Sequence, residues 1–297
     1  MNPDTGGAPR GAFFDADFLR RLERLHLVAK RLAWAGPGGE HAASRKGHSL
    51  EFSDYRRYQR GDDLRYVDWN IYRRLDRLVL KVFTAEEELN IYLLVDTSAS
   101  MDGKTDYAKK VAAALGYIGL KNLDRVGGAA FSSTLQTPLR LGRGRTQTLR
   151  LFAFLEGLSC AGPTDLKAAI QRFTTLFPHP GLAVIVSDLF DPAGWRAAVE
   201  ALARQKYHVL VIHVLDDADI DPRLVGDVAL VDAEGSRERR LFVDAELARR
   251  FQEELALYFR EIESACASLG VDYLRTTTRV PFDEFILKSL RQLGTVG

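Results

Sequence analysis

The chain has 297 residues, 46% hydrophobic and 27% charged, with a formal net charge of +1, a balance that suits a globular protein of one large or two ordinary domains. Basic and acidic residues are interleaved, which leaves no basis for bulk attraction to nucleic acid or an anionic membrane. No apolar run approaches the ~20 residues that cross a bilayer, the start (Met1 to Gly11) lacks the apolar core of a signal peptide, and Cys160 and Cys266 lie far apart in sequence; together these predict a cytoplasmic chain with reduced thiols and no membrane span.

Residues 1–11 are Gly/Pro-rich and read as a disordered tail. Residues 12–88 form a second division. It opens with Phe18, Leu19, Leu22, Leu25, Val28 and Leu32 at spacings of three and four, an amphipathic helix from Asp15 to Ala35. Glu23, Asp15 and Asp17 dilute its basic face, so it reads as docked on its own domain and not on a membrane surface. Gly36-Pro37-Gly38-Gly39 ends it. Residues 40–77 are dense in Arg, Asp and Tyr and read as loops and short strands, and Leu78–Phe83 reads as a strand. His41 and His48 have no Cys or second His pair nearby to complete a zinc site.

From 89 to 297 the texture changes. Apolar strands at 89–95, 126–131, 182–186 and 207–215 alternate with helices at 105–122, 146–158, 165–177 and 194–205. Continuous rather than alternating hydrophobicity is the mark of strands covered on both faces. The pattern predicts a doubly wound α/β fold, a mainly parallel sheet with helices on both faces. A hairpin (228–231 with 241–243), a long helix (245–269), a strand (271–275) and a terminal helix (282–293) follow.

Ligands of open parallel sheets bind beyond the carboxyl ends of the strands. Asp96, Ser98 and Ser100 fall at one such end, Thr164 in the loop before another helix, and Asp188 after the strand 182–186. Hydroxyls and carboxylates are hard donors suited to Mg²⁺, Mn²⁺ or Ca²⁺, with no thiolate or imidazole to favour zinc or copper. The plainer alternative is that Asp96 caps the next helix and the serines satisfy turn backbone. Leu94-Val95-Asp96-Thr97-Ser98 also matches an aspartic-protease signature, but the helix that follows and the lack of a second copy argue against that fold.

A buried strand ending in Asp96-Thr97-Ser98-Ala99-Ser100, with Thr164 and Asp188 68 and 92 residues further on, resembles the metal-ion-dependent adhesion site of von Willebrand factor A domains. The resemblance implies that Ser98, Ser100 and Thr164 bind the cation directly, and that Asp96 and Asp188 act largely through water. The run from Glu51-Phe52 through Arg57-Tyr58, Gly61-Asp62-Asp63 and Arg65 to Asp68-Trp69 is similar to the signature of the bacterial family called domain of unknown function 58. Many of its members carry two N-terminal transmembrane helices, which this sequence does not show. The segment itself reads either as an internal ion-pair network anchored to the core by Trp69, or as a partner-binding surface.

The family resemblance implies a non-enzymatic, divalent-metal-dependent interaction module. Its implied partner is a MoxR-type AAA+ ATPase, together with a client protein that offers an acidic residue to the metal. No Gly-x-x-x-x-Gly-Lys-Ser/Thr loop is present, so the nucleotide site would belong to the partner. The alternative is a Mg²⁺-dependent hydrolase at the same site, with Asp188, Asp191 and Asp102 as candidate bases.

Overall fold

A computed structural model describes residues 13–35, 50–85, 89–136, 138–191, 194–222, 224, 226–234 and 238–294. The tail at 1–11, the glycine-rich stop at 36–39, and His41 and His48 lie outside them. In chain order the elements are α1 (Ala16–Ala35), β1 (Leu50–Arg57), α2 (Trp69–Leu75), β2 (Val79–Ala85), β3 (Asn90–Asp96), α3 (Thr105–Lys121), β4 (Arg125–Phe131), β5 (Leu139–Gly142), α4 (Gly144–Glu156), α5 (Leu166–Leu176), β6 (Leu182–Ser187), α6 (Trp195–Arg204), β7 (His208–Leu215), α7 (Asp217–Ile220), β8 (Gly226–Val231), β9 (Glu238–Val243), α8 (Ala245–Ser268), β10 (Asp272–Thr277) and α9 (Phe282–Gly294). Among the described residues no helix is long and apolar enough to cross a membrane.

The chain divides into two units, Met1–Trp34 with Leu89–Gly297, and Ala35–Glu88. The larger holds a six-stranded sheet ordered β10-β7-β6-β3-β4-β5. Every pairing in it is parallel except that of β5, which runs against β4.

Alternation along β3 explains the apolar runs. Ile91, Leu93 and Val95 enter a core built with Phe18, Leu22 and Leu25 of α1, Val111 of α3, Leu151 and Leu155 of α4, and Ile286 of α9. Tyr92 and Leu94 enter a second core with Ile170 and Phe173 of α5, Val199 and Leu202 of α6, and Ile262 of α8. A strand with an apolar layer on each face has no position for a solvated residue, so the period-2 signal vanishes. The amphipathic N-terminal helix buries its Phe18-Leu22-Leu25 stripe in the first of these cores, so α1 packs with the larger unit.

In the smaller unit β1 and β2 pair antiparallel. Gly61, at φ +106, takes the turn beyond β1. Asp68 caps α2 by accepting from the backbone N–H groups of Asn70 and Ile71, and also accepts from Tyr55 Oη at 3.1 Å. Ion pairs join Arg56 to Asp62, Arg65 to Asp63 and Lys81 to Asp68. Ion pairs of the expected kind are therefore present, but Trp69 does not anchor them to the core. Its side chain is 56% exposed and meets the Tyr72 ring edge-on, because α2 is a two-turn helix whose described residues include none that is buried.

Candidate functional site

The sheet order creates a switch point. From β3 the chain passes to β4 and β5 on one side, then returns through α4 and α5 to β6 on the other side of β3. Connections leaving in opposite directions open a crevice at the carboxyl ends of β3 and β6. Asp96 is the last residue of β3 and Asp188 follows the last of β6, with Val95 and Val186 in register just behind them.

Asp96 is fully buried. Its Oδ1 accepts the Ser98 N–H at 2.9 Å, and its Oδ2 accepts the Ser187 hydroxyl at 2.5 Å. Burial, and then the nearby charge of Asp188, push its carboxyl from 3.8 up to about 7. The Ser98 and Ser100 hydroxyl oxygens lie 3.0 Å apart. The Asp-x-Ser turn is laced to the loop that carries Thr164 by Ala99 N–H to Gly162 O and Ala161 N–H to Thr97 O, both at 2.9 Å.

Asp188 is also fully buried and both its oxygens are engaged. Oδ1 accepts the Phe190 N–H at 3.1 Å, and Oδ2 accepts Lys104 Nζ at 2.7 Å. Lys104 reaches on to Asp219 Oδ2 at 2.8 Å and lies 5.3 Å from the centre of the Phe190 ring. Burial pulls the Lys104 ammonium down, but Asp188 and Asp219 outweigh it and hold its pKa above the ordinary value. Leu189, next in the chain, takes a left-handed φ of 55°. Its N–H donates to the Ser187 hydroxyl, and its carbonyl accepts from Tyr258 Oη. A β-carbon residue held there is strained backbone next to a buried acid.

Thr164 lies at the rim, its N–H and hydroxyl both bound to the Glu234 carboxylate. Asp191 is buried and receives the Leu166 N–H at the start of α5, whereas Asp102 is exposed. In register with Ser187, His213 is buried, with Nδ1 2.7 Å from Tyr273 Oη. Burial lowers its pKa to about 4 despite the charge of Asp188. Among the described residues no three His, Cys, Asp or Glu side chains are grouped to hold a metal; the candidate set is two carboxylates with hydroxyls.

The family model described as "Protein of unknown function DUF58" matches residues 54–258 of this chain. The chain belongs to the DUF58 family. This member is 31% identical over 278 residues to Uncharacterized protein Mb1516 of Mycobacterium bovis, covering 91% of this chain and 87% of that one. It is 33% identical over 144 residues to Uncharacterized protein MAV169 of Mycobacterium avium, covering 48% and 85%. Among solved structures it is similar to the conserved hypothetical protein BatB from Bacteroides thetaiotaomicron at 16% identity and a TM-score of 0.42, covering 69% of this chain and 98% of that one.

Sequence reasoning did not find Lys104, Ser187, Asp219 or Glu234. Lys104 did leave a signal. A lysine at the start of a helix faces the positive end of the backbone dipole, which calls for anionic neighbours to hold it there. Ser187 lies beside Asp188 at the strand end and could have been added. Asp219, in the short helix α7, and Glu234, after β8, lie 115 and 70 residues from their partners, and nothing local in the sequence points to those partners.

Proposed function

We propose that this DUF58 protein is a divalent-cation-dependent protein-interaction module built on a von Willebrand factor A-like domain. Ser98, Ser100 and Thr164 would hold Mg²⁺, or Mn²⁺ or Ca²⁺, directly, with Asp96 and Asp188 around them. One observation carries the reading: the buried Asp96, whose carboxyl is raised to about 7 by burial and by the charge of the buried Asp188, adjoins a pair of hydroxyls 3.0 Å apart. A cation would relieve that potential, and the donor chemistry fits a hard divalent ion. Both oxygens of Asp96 and of Asp188 already accept hydrogen bonds. That agrees with an indirect role for the acids and leaves neutral oxygens as the direct ligands.

Neutral ligands quench little of a divalent charge, so the bound ion would draw an external carboxylate. On this reading the client presents an acidic side chain, a MoxR-type AAA+ ATPase supplies nucleotide hydrolysis, and the chain itself is not an enzyme. Calorimetric titration with Mn²⁺ tests the core of the proposal. The wild-type chain should bind one ion per chain, and Ser98→Ala should lose it with an unchanged far-UV spectrum. A wild-type chain that binds no divalent ion would overturn the reading. Co-purification of a purified MoxR-type ATPase with the chain in Mg²⁺, and its loss in EDTA, tests the partner.

A further inference from the structure

Thr164 does not stand open. Its N–H donates to Glu234 Oε2 at 2.9 Å and its hydroxyl to Oε1 at 2.7 Å, so one carboxylate commits both oxygens to one residue of the site loop. Glu234 follows β8, 70 residues further along the chain. Its own N–H donates to Asp232 Oδ1 at 3.0 Å, a local turn that sets the backbone from which the side chain reaches. Among the described residues Glu234 forms no ion pair with a lysine or arginine. Among the described residues the acid is held by a hydroxyl and an amide, and not by a counter-charge.

We infer that Glu234 is a resident carboxylate ligand of the site: in the free chain, held against Thr164, it takes the place that a partner's acidic side chain would take at the cation. The inference rests on the cation reading above. A carboxylate contributes charge that hydroxyls lack, and ligand charge is a main determinant of affinity for hard cations. Because it is tethered, its effective concentration lies in the millimolar range. A free monovalent acid at low concentration does not displace it, and a partner must present its acid within a larger interface to do so. The site is thereby closed to stray carboxylates and opened by a matching surface.

Full-length chain titrated with Mn²⁺ alone, then with Mn²⁺ in acetate, separates the possibilities. Glu234→Gln should weaken Mn²⁺ binding about tenfold. Acetate at roughly tens of millimolar, above the tethered acid's effective concentration, should restore much of the loss in Glu234→Gln and leave wild type unchanged. Glu234→Asp, which keeps the charge on a shorter arm, should fall between them. Unchanged affinity in a folded Glu234→Gln overturns this inference alone, as does a loss that acetate cannot repair. Absence of Mn²⁺ binding in the wild type overturns both this inference and the cation reading.

Discussion

Lys104 and Asp188 meet at 2.7 Å with side chains 2% and 1% exposed, whereas Arg65 and Asp63 meet at 2.6 Å with side chains 82% and 41% exposed. The geometry is nearly the same and the surroundings are opposite. At the strand ends each charge has lost its water and depends on its partner. In the Arg65–Asp63 pair each charge keeps its water, and its partner is optional. The segment that looks densest in charged residues is therefore not where charge carries most energy. A few polar groups enclosed by two apolar layers are worth more than many on a solvated turn.

Lys104→Met tests that contrast most severely. It leaves Asp188 buried without its ammonium, and should lower stability by about 3–5 kcal/mol in urea unfolding at neutral pH, as expected for breaking a buried pair. Lys104→Met with Asp188→Asn should recover part of the loss. If Lys104→Met costs no more than Arg65→Ala, burial does not separate the two pairs.

The second test uses pH, in EDTA. The folded Asp96 carboxyl is raised to about 7, so it favours folding while protonated, and this contribution is lost as pH rises from about 4 to about 7. The folded His213 imidazole is lowered from 6.5 to about 4, so it favours folding while neutral, and its contribution is lost as pH falls through that window. The two slopes oppose one another between about 4 and 6.5. Each has a limit near 1.4 kcal/mol per pH unit. Asp96→Asn should remove one and leave stability rising with pH across the window; a profile identical to wild type would show that Asp96 titrates normally.

Asp68→Ala should have a smaller, local effect. It removes the cap of α2 and the acceptor of Tyr55 and Lys81, so amide exchange across residues 69–75 should quicken while β3 and β6 stay protected. Slowed or unchanged exchange there would mean that the cap is dispensable. Smallest of all, Arg65→Ala should leave the urea midpoint unchanged, and a clear drop would mark the exposed pairs as a cooperative network.

Much of this molecule was determined by sequence alone. Runs such as Ile91–Val95 and Val209–Leu215 are too uniformly apolar for a half-solvated strand, and α3, α5 and α6 follow at helical spacing, so layered α/β architecture and the strand ends were legible. The positions of Asp96 and Asp188 followed from those ends, since a parallel sheet presents the carboxyl ends of its strands together. Tertiary structure alone decided what those acids touch. It carried Asp219 to Lys104 and Glu234 to Thr164, joined α1 to the larger unit through Phe18, Leu22 and Leu25, left Trp69 exposed, and added β5 antiparallel at the sheet edge. Periodicity reports which face of an element meets the core, a property of neighbours along the chain. The partner of a buried charge depends on which distant loops the closed sheet brings to the same crevice, and no local pattern encodes that.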